Sequence, residues 1–219
     1  MLRLFLFDGG DGFYYAHGSK EVFMTKPVLA VDFDDVVAGF NAAFVLWHNE
    51  HHDTDITYDG IFTYDMAKLY GTDDPTIHRR VMRFCHEYHD RIEPVEGALE
   101  SLSKLQEVYR LEIVTSRCES IAPITLEWNA TRAPELFSRA HFTNGFATKF
   151  PERRRSKLDV CKAIGAVALI DDAISHANEV SAEGSIRVLL PDRPWNRHGL
   201  ALGAERVFSW NEITERLLG

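Results

Sequence analysis

The chain has 219 residues, 45% of them hydrophobic, so it can bury a full core and suits one α/β domain with a modest insertion. Its formal net charge of -9 argues against a nucleic-acid polymer or an acidic membrane surface as the main partner. The three cysteines lie far apart and indicate no disulfide framework or metal knuckle, which fits a reducing cytoplasm. Because no apolar run approaches about eighteen residues, we expect a soluble protein without a membrane span.

The first 26 residues are predicted to lie outside the core, as a leader or as an edge strand of the sheet. Their glycine-rich stretch imitates a strand that ends in acids, but Asp8 and Asp11 are three residues apart and cannot share one strand face. We interpret the stretch as a turn. Met24 is a candidate start of the functional chain.

The segment Val28–Val36 is an apolar run that leads into three carboxylates, Asp32, Asp34 and Asp35. It predicts a buried strand of a parallel sheet with acids at its carboxyl end, where open α/β sheets bind ligands. Asp32 and Asp34 are two residues apart, which puts both on one face of an extended strand. Unpaired carboxylates so close together repel, so the motif predicts a bound cation or a shared proton.

Residues 37–92 are predicted to form a small helical insertion after this strand. Aromatic residues at helical spacing predict a first helix over 37–52. A second helix opens at Asp74 and Pro75, an N-cap followed by proline, and continues to Tyr88.

Five histidines of this insertion recur at helical spacing: His48, His51, His52, His86 and His89. Such spacing is compatible with metal binding. Because these histidines stand among Asn and Glu, we interpret them instead as a solvated helix face.

From residue 93 onward, strand and helix patterns alternate, which is typical of a parallel α/β core. The predicted strands cover 111–114, 141–143, 167–170, 186–190 and 206–208. Ser156 is predicted to cap the helix 157–164.

Polar groups follow two of these strands at the point where each strand ends. Thr115 and Ser116 follow one strand, and Asp171 and Asp172 follow another. Lys157 starts the helix that precedes the second acid pair. Because parallel strands present their carboxyl ends at one edge, we expect these groups to converge with the first acids.

In this order, the groups resemble the four motifs of the haloacid dehalogenase (HAD) superfamily over nearly all of residues 27–219. The resemblance implies an α/β fold with a Rossmann-like three-layer HAD core, a parallel sheet and a small helical C1 cap inserted after the first motif. The core would comprise 27–36 and 93–219, and the cap 37–92. Haloacid dehalogenases proper lack the second acid, so Asp34 favours a phosphatase.

The resemblance also implies roles for the acids. Asp32 would be the nucleophile that forms an aspartyl-phosphate, and Asp34 the general acid and base, a task that needs a raised pKa from a desolvated site near other carboxylates. Mg²⁺ would be the cofactor. Its ligands would be Asp32, the backbone carbonyl of Asp34 and one acid of the pair Asp171 and Asp172.

Phosphate would be bound by Thr115, Ser116 and a lysine. Two lysines compete for this role. We favour Lys157 over Lys149 because a helix N-terminus at the sheet edge would aim Lys157 at phosphate.

The hydroxyl pair, the second acid pair and the segment Arg193–Asn196 are similar to the 5'(3')-deoxyribonucleotidases. The implied partner is a small phosphorylated metabolite: a (deoxy)nucleoside monophosphate, or alternatively a sugar or other metabolite phosphate. A catalytically idle binding protein is a third hypothesis, and the oligomeric state is left open. Five cap aromatics are candidates to stack on a base or to form the cap core: Phe40, Phe44, Trp47, Phe62 and Tyr64.

Overall fold

The computed structural model describes the backbone of residues 4–5, 12–17, 20–145, 153–199 and 201–219, and the side chains within these ranges from residue 25 onward. Three strands near the N-terminus pair antiparallel in one sheet: β1 (Leu4–Phe5), β2 (Gly12–His17) and β3 (Lys20–Thr25). They pair with one another and do not extend the main sheet, so the edge-strand alternative is wrong for the part of 1–26 that is described. Asp8 and Asp11 lie outside the described residues.

The main sheet has six parallel strands. They are β4 (Val28–Val31), β5 (Arg110–Thr115), β6 (Arg139–Phe142), β7 (Ala166–Ile170), β8 (Arg187–Pro191) and β9 (Glu205–Val207). Their order is β6-β5-β4-β7-β8-β9, so β4 lies between the two strands that also end in polar groups. This order brings the ends of β5 and β7 to either side of Asp32.

Two apolar layers cover the sheet, because successive side chains of a strand point to opposite faces. Leu29 and Val31 belong to one core cluster, and Val28 and Ala30 to the other. All four are buried, as expected for a central parallel strand covered on both faces. The predicted three-layer α/β fold with a parallel sheet is confirmed.

Eight α-helices occur in the described residues: α1 (Phe40–His52), α2 (Met66–Leu69), α3 (Asp74–Tyr88), α4 (Ala98–Gln106), α5 (Ala122–Arg132), α6 (Lys157–Ile164), α7 (Ile174–Ser181) and α8 (Trp210–Leu218). The predicted N-cap residue of α6 is confirmed, since the Ser156 hydroxyl accepts a hydrogen bond from the Asp159 N–H at 3.0 Å. The N-cap residue of α3 is Asp73 rather than the predicted Asp74, because the Asp73 carboxylate accepts a hydrogen bond from the Thr76 N–H at 2.7 Å. None of the helices described is both long and apolar enough to cross a membrane.

The small helical cap, for which we keep the predicted bounds 37–92, contains α1, α2 and α3. The two chain segments that connect it to the core run side by side. The N–H of Gly39 donates to the Glu93 carbonyl, and that of Val95 to the Val37 carbonyl, both at 2.8 Å. These paired connections hold the cap over the carboxyl edge of the sheet.

Candidate active site

Three buried carboxylates meet at the carboxyl edge of the sheet. Asp32 directly follows β4, and Asp171 and Asp172 directly follow the neighbouring strand β7. One carboxylate oxygen of each lies within 4.8 Å of those of the other two. The convergence predicted from the strand ends is therefore present.

Lys157 is the buried positive charge of this cluster. Its Nζ lies 2.8 Å from Asp32 Oδ1 and 2.6 Å from Asp171 Oδ2. Burial alone would lower the pKa of Lys157, but Asp171 and Asp32 outweigh it and raise the pKa above its ordinary value. The competing Lys149 lies outside the described residues.

One lysine does not offset three carboxylates, and the acids respond differently. Burial raises the pKa of Asp32 to about 6 despite Lys157, and it raises that of Asp172 well above the ordinary value. Burial also acts to raise the pKa of Asp171, but Lys157 and His176 outweigh it and lower the value to about 2. A buried group of hard oxygen donors with excess negative charge fits a divalent cation such as Mg²⁺.

The segment Arg193–Asn196 holds Asp172 in place. Trp195 donates its indole N–H to Asp172 Oδ2 at 2.7 Å, and the Asn196 amide donates to the Asp172 carbonyl at 2.8 Å. Arg193 donates to the Asp35 carbonyl at 2.9 Å and so joins this segment to the first acid motif. The sequence marked this segment only by its resemblance to nucleotidases, and the structure adds the contacts.

Asp34 differs from its predicted environment. Its side chain is 30% exposed and lies outside the cluster of three carboxylates. Asp34 is therefore less desolvated than expected, and the partner of its carboxylate is a cation. The physical reason is a tight turn: β4 ends at Val31, Asp35 has a φ of 58°, and the N–H groups of Val37 and Ala38 both donate to the Phe33 carbonyl.

Arg117 is the partner of Asp34. No role was predicted for this residue from the sequence. Its Nε donates to Asp34 Oδ2 at 2.9 Å and its Nη2 to Asp34 Oδ1 at 2.7 Å. Arg117 is buried and directly follows Ser116. The sequence does show a basic residue next to the polar end of β5, which could have marked Arg117 as a site residue. Sequence spacing does not show which carboxylate Arg117 contacts.

The two hydroxyl residues at the end of β5 are placed differently. Ser116 lines the cavity above the acids. Thr115 is buried, and its hydroxyl accepts the Arg117 N–H at 3.2 Å. Both lie at the predicted edge, and their phosphate contacts remain a prediction.

A cavity of about 440 Å³ lies between the acids and the cap. Of the five candidate aromatics, Phe40 and Tyr64 line it. Phe44 and Trp47 are buried in the cap core, where the Phe44 ring lies 5.2 Å from the Phe84 ring. Phe62 is 58% exposed, with Lys68 5.9 Å above its ring. The base-stacking alternative is therefore wrong for Phe44 and Trp47, because helix packing turns them inward.

His48 is fully buried, which corrects its interpretation as part of a solvated face. Its Nδ1 lies 2.8 Å from Thr54 Oγ1, and its Nε2 lies 3.0 Å from Arg80 Nη1. Burial, with His52 and Arg80 nearby, lowers the pKa of His48 to about 4. The three carboxylates at the sheet edge are the one group of potential metal ligands found in the described part of the chain.

A three-layer α/β fold, a helical cap and an acid cluster beneath that cap together define a HAD-type phosphatase. The fold is that of the HAD-hydrolase YfnB from Bacillus subtilis bound to magnesium, with a TM-score of 0.54 and 17% identity over 89% of this chain and 99% of that one. A haloacid dehalogenase-like hydrolase from Streptococcus pneumoniae matches with a TM-score of 0.63 and 12% identity, over 88% and 98% of the two chains.

The chain belongs to the family described as 5' nucleotidase, deoxy (pyrimidine), cytosolic type C protein, whose model matches residues 26–218. It is 27% identical over 196 residues to the 5'(3')-deoxyribonucleotidases of Bacillus subtilis (strain 168) and of Bacillus phage SPbeta. These alignments cover 88% of this chain and 99% of each relative. The protein is thus a phosphatase of a nucleotidase family.

Proposed function

We propose that the protein is a Mg²⁺-dependent phosphomonoester hydrolase that acts through an aspartyl-phosphate on (deoxy)nucleoside monophosphates. One observation carries the proposal. Asp32 lies at the cavity, beside the buried Lys157 and within 4.8 Å of the acid pair after β7. Such a site combines a nucleophile with fixed charges, which is what phosphoryl transfer requires of a protein.

The contacts of Asp32 suggest which oxygen attacks. The Phe33 N–H and Lys157 Nζ both contact Oδ1, each at 2.8 Å. We therefore assign Oδ2 to attack on phosphorus, which forms the O–P bond of the aspartyl-phosphate while the bond to the nucleoside oxygen breaks. Asp34, in its protonated form, gives its proton to that leaving oxygen and then, as a carboxylate, takes one from the water that hydrolyses the intermediate.

The residues proposed to hold Mg²⁺ are Asp32, the carbonyl of Asp34 and Asp172. Asp172 is favoured over Asp171 because both Asp171 oxygens already accept hydrogen bonds, from Lys157 at 2.6 Å and from the Ala173 N–H at 2.9 Å. Asp172 also lines the cavity. When bound, the ion supplies positive charge that offsets the carboxylates and the phosphate.

The substrate class is supported by the cavity and by the relatives. A volume of about 440 Å³ is in the range of small-molecule sites. Phe40 and Tyr64 offer rings for a base, and Ser116 offers a hydroxyl near the acids. The two curated relatives are named as deoxyribonucleotidases.

A substrate panel tests the proposal. We expect hydrolysis of deoxynucleoside monophosphates to exceed that of sugar phosphates, to require Mg²⁺ and to stop with EDTA. Asp32→Asn should abolish turnover, whereas Asp55→Asn, at an exposed cap position, should leave it unchanged. Preference for sugar phosphates would overturn the substrate class. Absence of turnover across the panel with Mg²⁺ present would indicate an idle binding protein.

A further inference from the structure

The carboxylate of Asp34 is held by one side chain through both of its oxygens. Arg117 donates Nε to Oδ2 at 2.9 Å and Nη2 to Oδ1 at 2.7 Å. A bidentate pair of this kind fixes the plane of the carboxylate as well as its position. Asp34 would otherwise be free to rotate, because its side chain is 30% exposed in a turn beyond β4.

Arg117 is itself fixed on its other sides. Its Nη1 donates to Thr125 Oγ1 at 2.9 Å, and Thr125 donates to the Ile121 carbonyl at 3.0 Å. The guanidinium carbon lies 4.6 Å from the centre of the Phe33 ring, which supports the cation from below. The Arg117 side chain is only 5% exposed, so breaking its pair with Asp34 would leave a buried charge without its partner.

These contacts also argue against a simple role as a phosphate anchor. Nε, Nη1 and Nη2 each already donate a hydrogen bond within the protein. A phosphate anchor at the same cavity would need donors directed toward the nucleophile. Three of the five guanidinium N–H groups are directed instead toward Asp34 and Thr125.

We propose that Arg117 is a positioning residue that holds the Asp34 carboxylate where it meets the leaving oxygen of the substrate. The assignment rests on the proposed function, in which Asp34 is the general acid. Proton transfer requires hydrogen-bond reach, and a displacement of about 1 Å can cost about 100-fold in rate. The two cations therefore have different roles. Lys157 contacts the nucleophile Asp32, and Arg117 holds the general acid Asp34.

The test compares two substrates that differ in their need for a proton. The alkoxide that leaves a deoxynucleoside monophosphate must be protonated, whereas the phenolate that leaves p-nitrophenyl phosphate departs without help. The value of kcat/KM reports the steps through formation of the aspartyl-phosphate. In Arg117→Gln we expect kcat/KM to fall about 10- to 100-fold for the nucleotide and to change by less than about threefold for the aryl phosphate.

Three further variants separate positioning from folding. Arg117→Lys keeps the charge but not the bidentate geometry, so it should recover part of the nucleotide activity. Thr125→Val removes one hydrogen-bond partner of Arg117 but none of the contacts of Asp34. Its kcat/KM for the nucleotide should fall, but by less than in Arg117→Gln. Arg132→Gln is the control, because Arg132 lies on α5, the helix that carries Thr125. It removes the surface pair of Arg132 with Glu93 and should leave kcat/KM unchanged for both substrates.

Equal losses on both substrates would overturn the assignment, because Arg117 would then support phosphate binding or the fold. Unchanged nucleotide activity, or an increase, would overturn it as well. If Arg117→Gln does not fold, as judged by circular dichroism, Arg117→Lys and Thr125→Val carry the same comparison. A wild-type protein inactive on both substrates with Mg²⁺ would instead overturn the proposed function, and with it this assignment.

Discussion

The carboxyl edge of the sheet and the cap are built on different physical principles, although both face the same cavity. At the sheet edge, Asp32, Thr115 and Asp171 lie at the carboxyl ends of strands, and parallel pairing of β4, β5 and β7 brings these groups together. In the cap, the side chains are sorted by packing: Phe40 reaches the cavity, while Phe44, one helical turn later, is buried in the cap core. Backbone pairing thus positions the polar groups of the sheet edge, whereas side-chain packing decides which cap residues line the cavity.

The two regions also treat buried polar groups differently. At the sheet edge, Asp32 and Asp171 share one buried cation, Lys157. In the cap, burial lowers the pKa of His48, and its ring nitrogens lie 2.8 Å from Thr54 Oγ1 and 3.0 Å from Arg80 Nη1. The first region depends on charge compensation and the second on apolar packing with local hydrogen bonds. Three experiments test this difference, from the largest expected effect to the smallest.

Lys157→Met should have the largest effect, because it leaves buried carboxylates without their counter-charge. We expect a loss of about 3–5 kcal/mol in the free energy of unfolding and a fall of about 100- to 1,000-fold in kcat. Urea unfolding in EDTA and turnover in Mg²⁺ measure the two. The matched control is Lys162→Met on the same helix, since Lys162 is 46% exposed in a surface pair with Glu183. Equal effects of the two variants would contradict charge compensation.

Phe44→Ala should come next, and it should act on stability rather than on chemistry. The side chain is fully buried among the rings of Phe40, Trp47 and Phe84, so its loss should cost about 3–5 kcal/mol. Phe62→Ala, at a 58% exposed position, should stay within about 0.5 kcal/mol. Where Phe44→Ala is folded, KM should be close to wild type. A large rise in KM with unchanged stability would show that Phe44 contacts the substrate.

The smallest effect is an opposite response of the two regions to pH. The pKa of His48 is about 4 in the folded protein, below its ordinary value of 6.5, so the unfolded chain binds more protons between these values. Its contribution to stability is complete above about pH 6.5 and is lost as the pH falls toward 4. For Asp32 the folded pKa of about 6 exceeds the ordinary 3.8, so without metal its ionisation lowers stability as the pH rises through that range.

Urea unfolding in EDTA between pH 4.5 and 7 measures this contrast. The stability difference between wild type and His48→Gln should shrink as the pH falls. The corresponding difference for Asp32→Asn should change with pH in the opposite direction. Differences that are independent of pH would show that neither group is perturbed by burial.

Much of the fold and of the carboxylate cluster was predictable because both follow from short local patterns. The run before Asp32 and the run before Asp171 are apolar and short, so each indicates a buried strand, and Ser156 marks the start of α6. Asp34 was placed less well. Its surroundings depend on the turn after β4 and on Arg117, which is 83 residues away in the chain. No local pattern links residues so far apart.

The amino-acid order alone determined the strand ends, the helical insertion and the family resemblance, because strand and helix periodicity and capping act over a few residues. Tertiary structure alone decided that Arg117 binds Asp34, that Trp195 binds Asp172 and that Phe44 lies in the core while Phe40 faces the cavity. These outcomes required tertiary structure because each depends on how separate elements pack, and packing selects one partner among many that are chemically equivalent in the sequence.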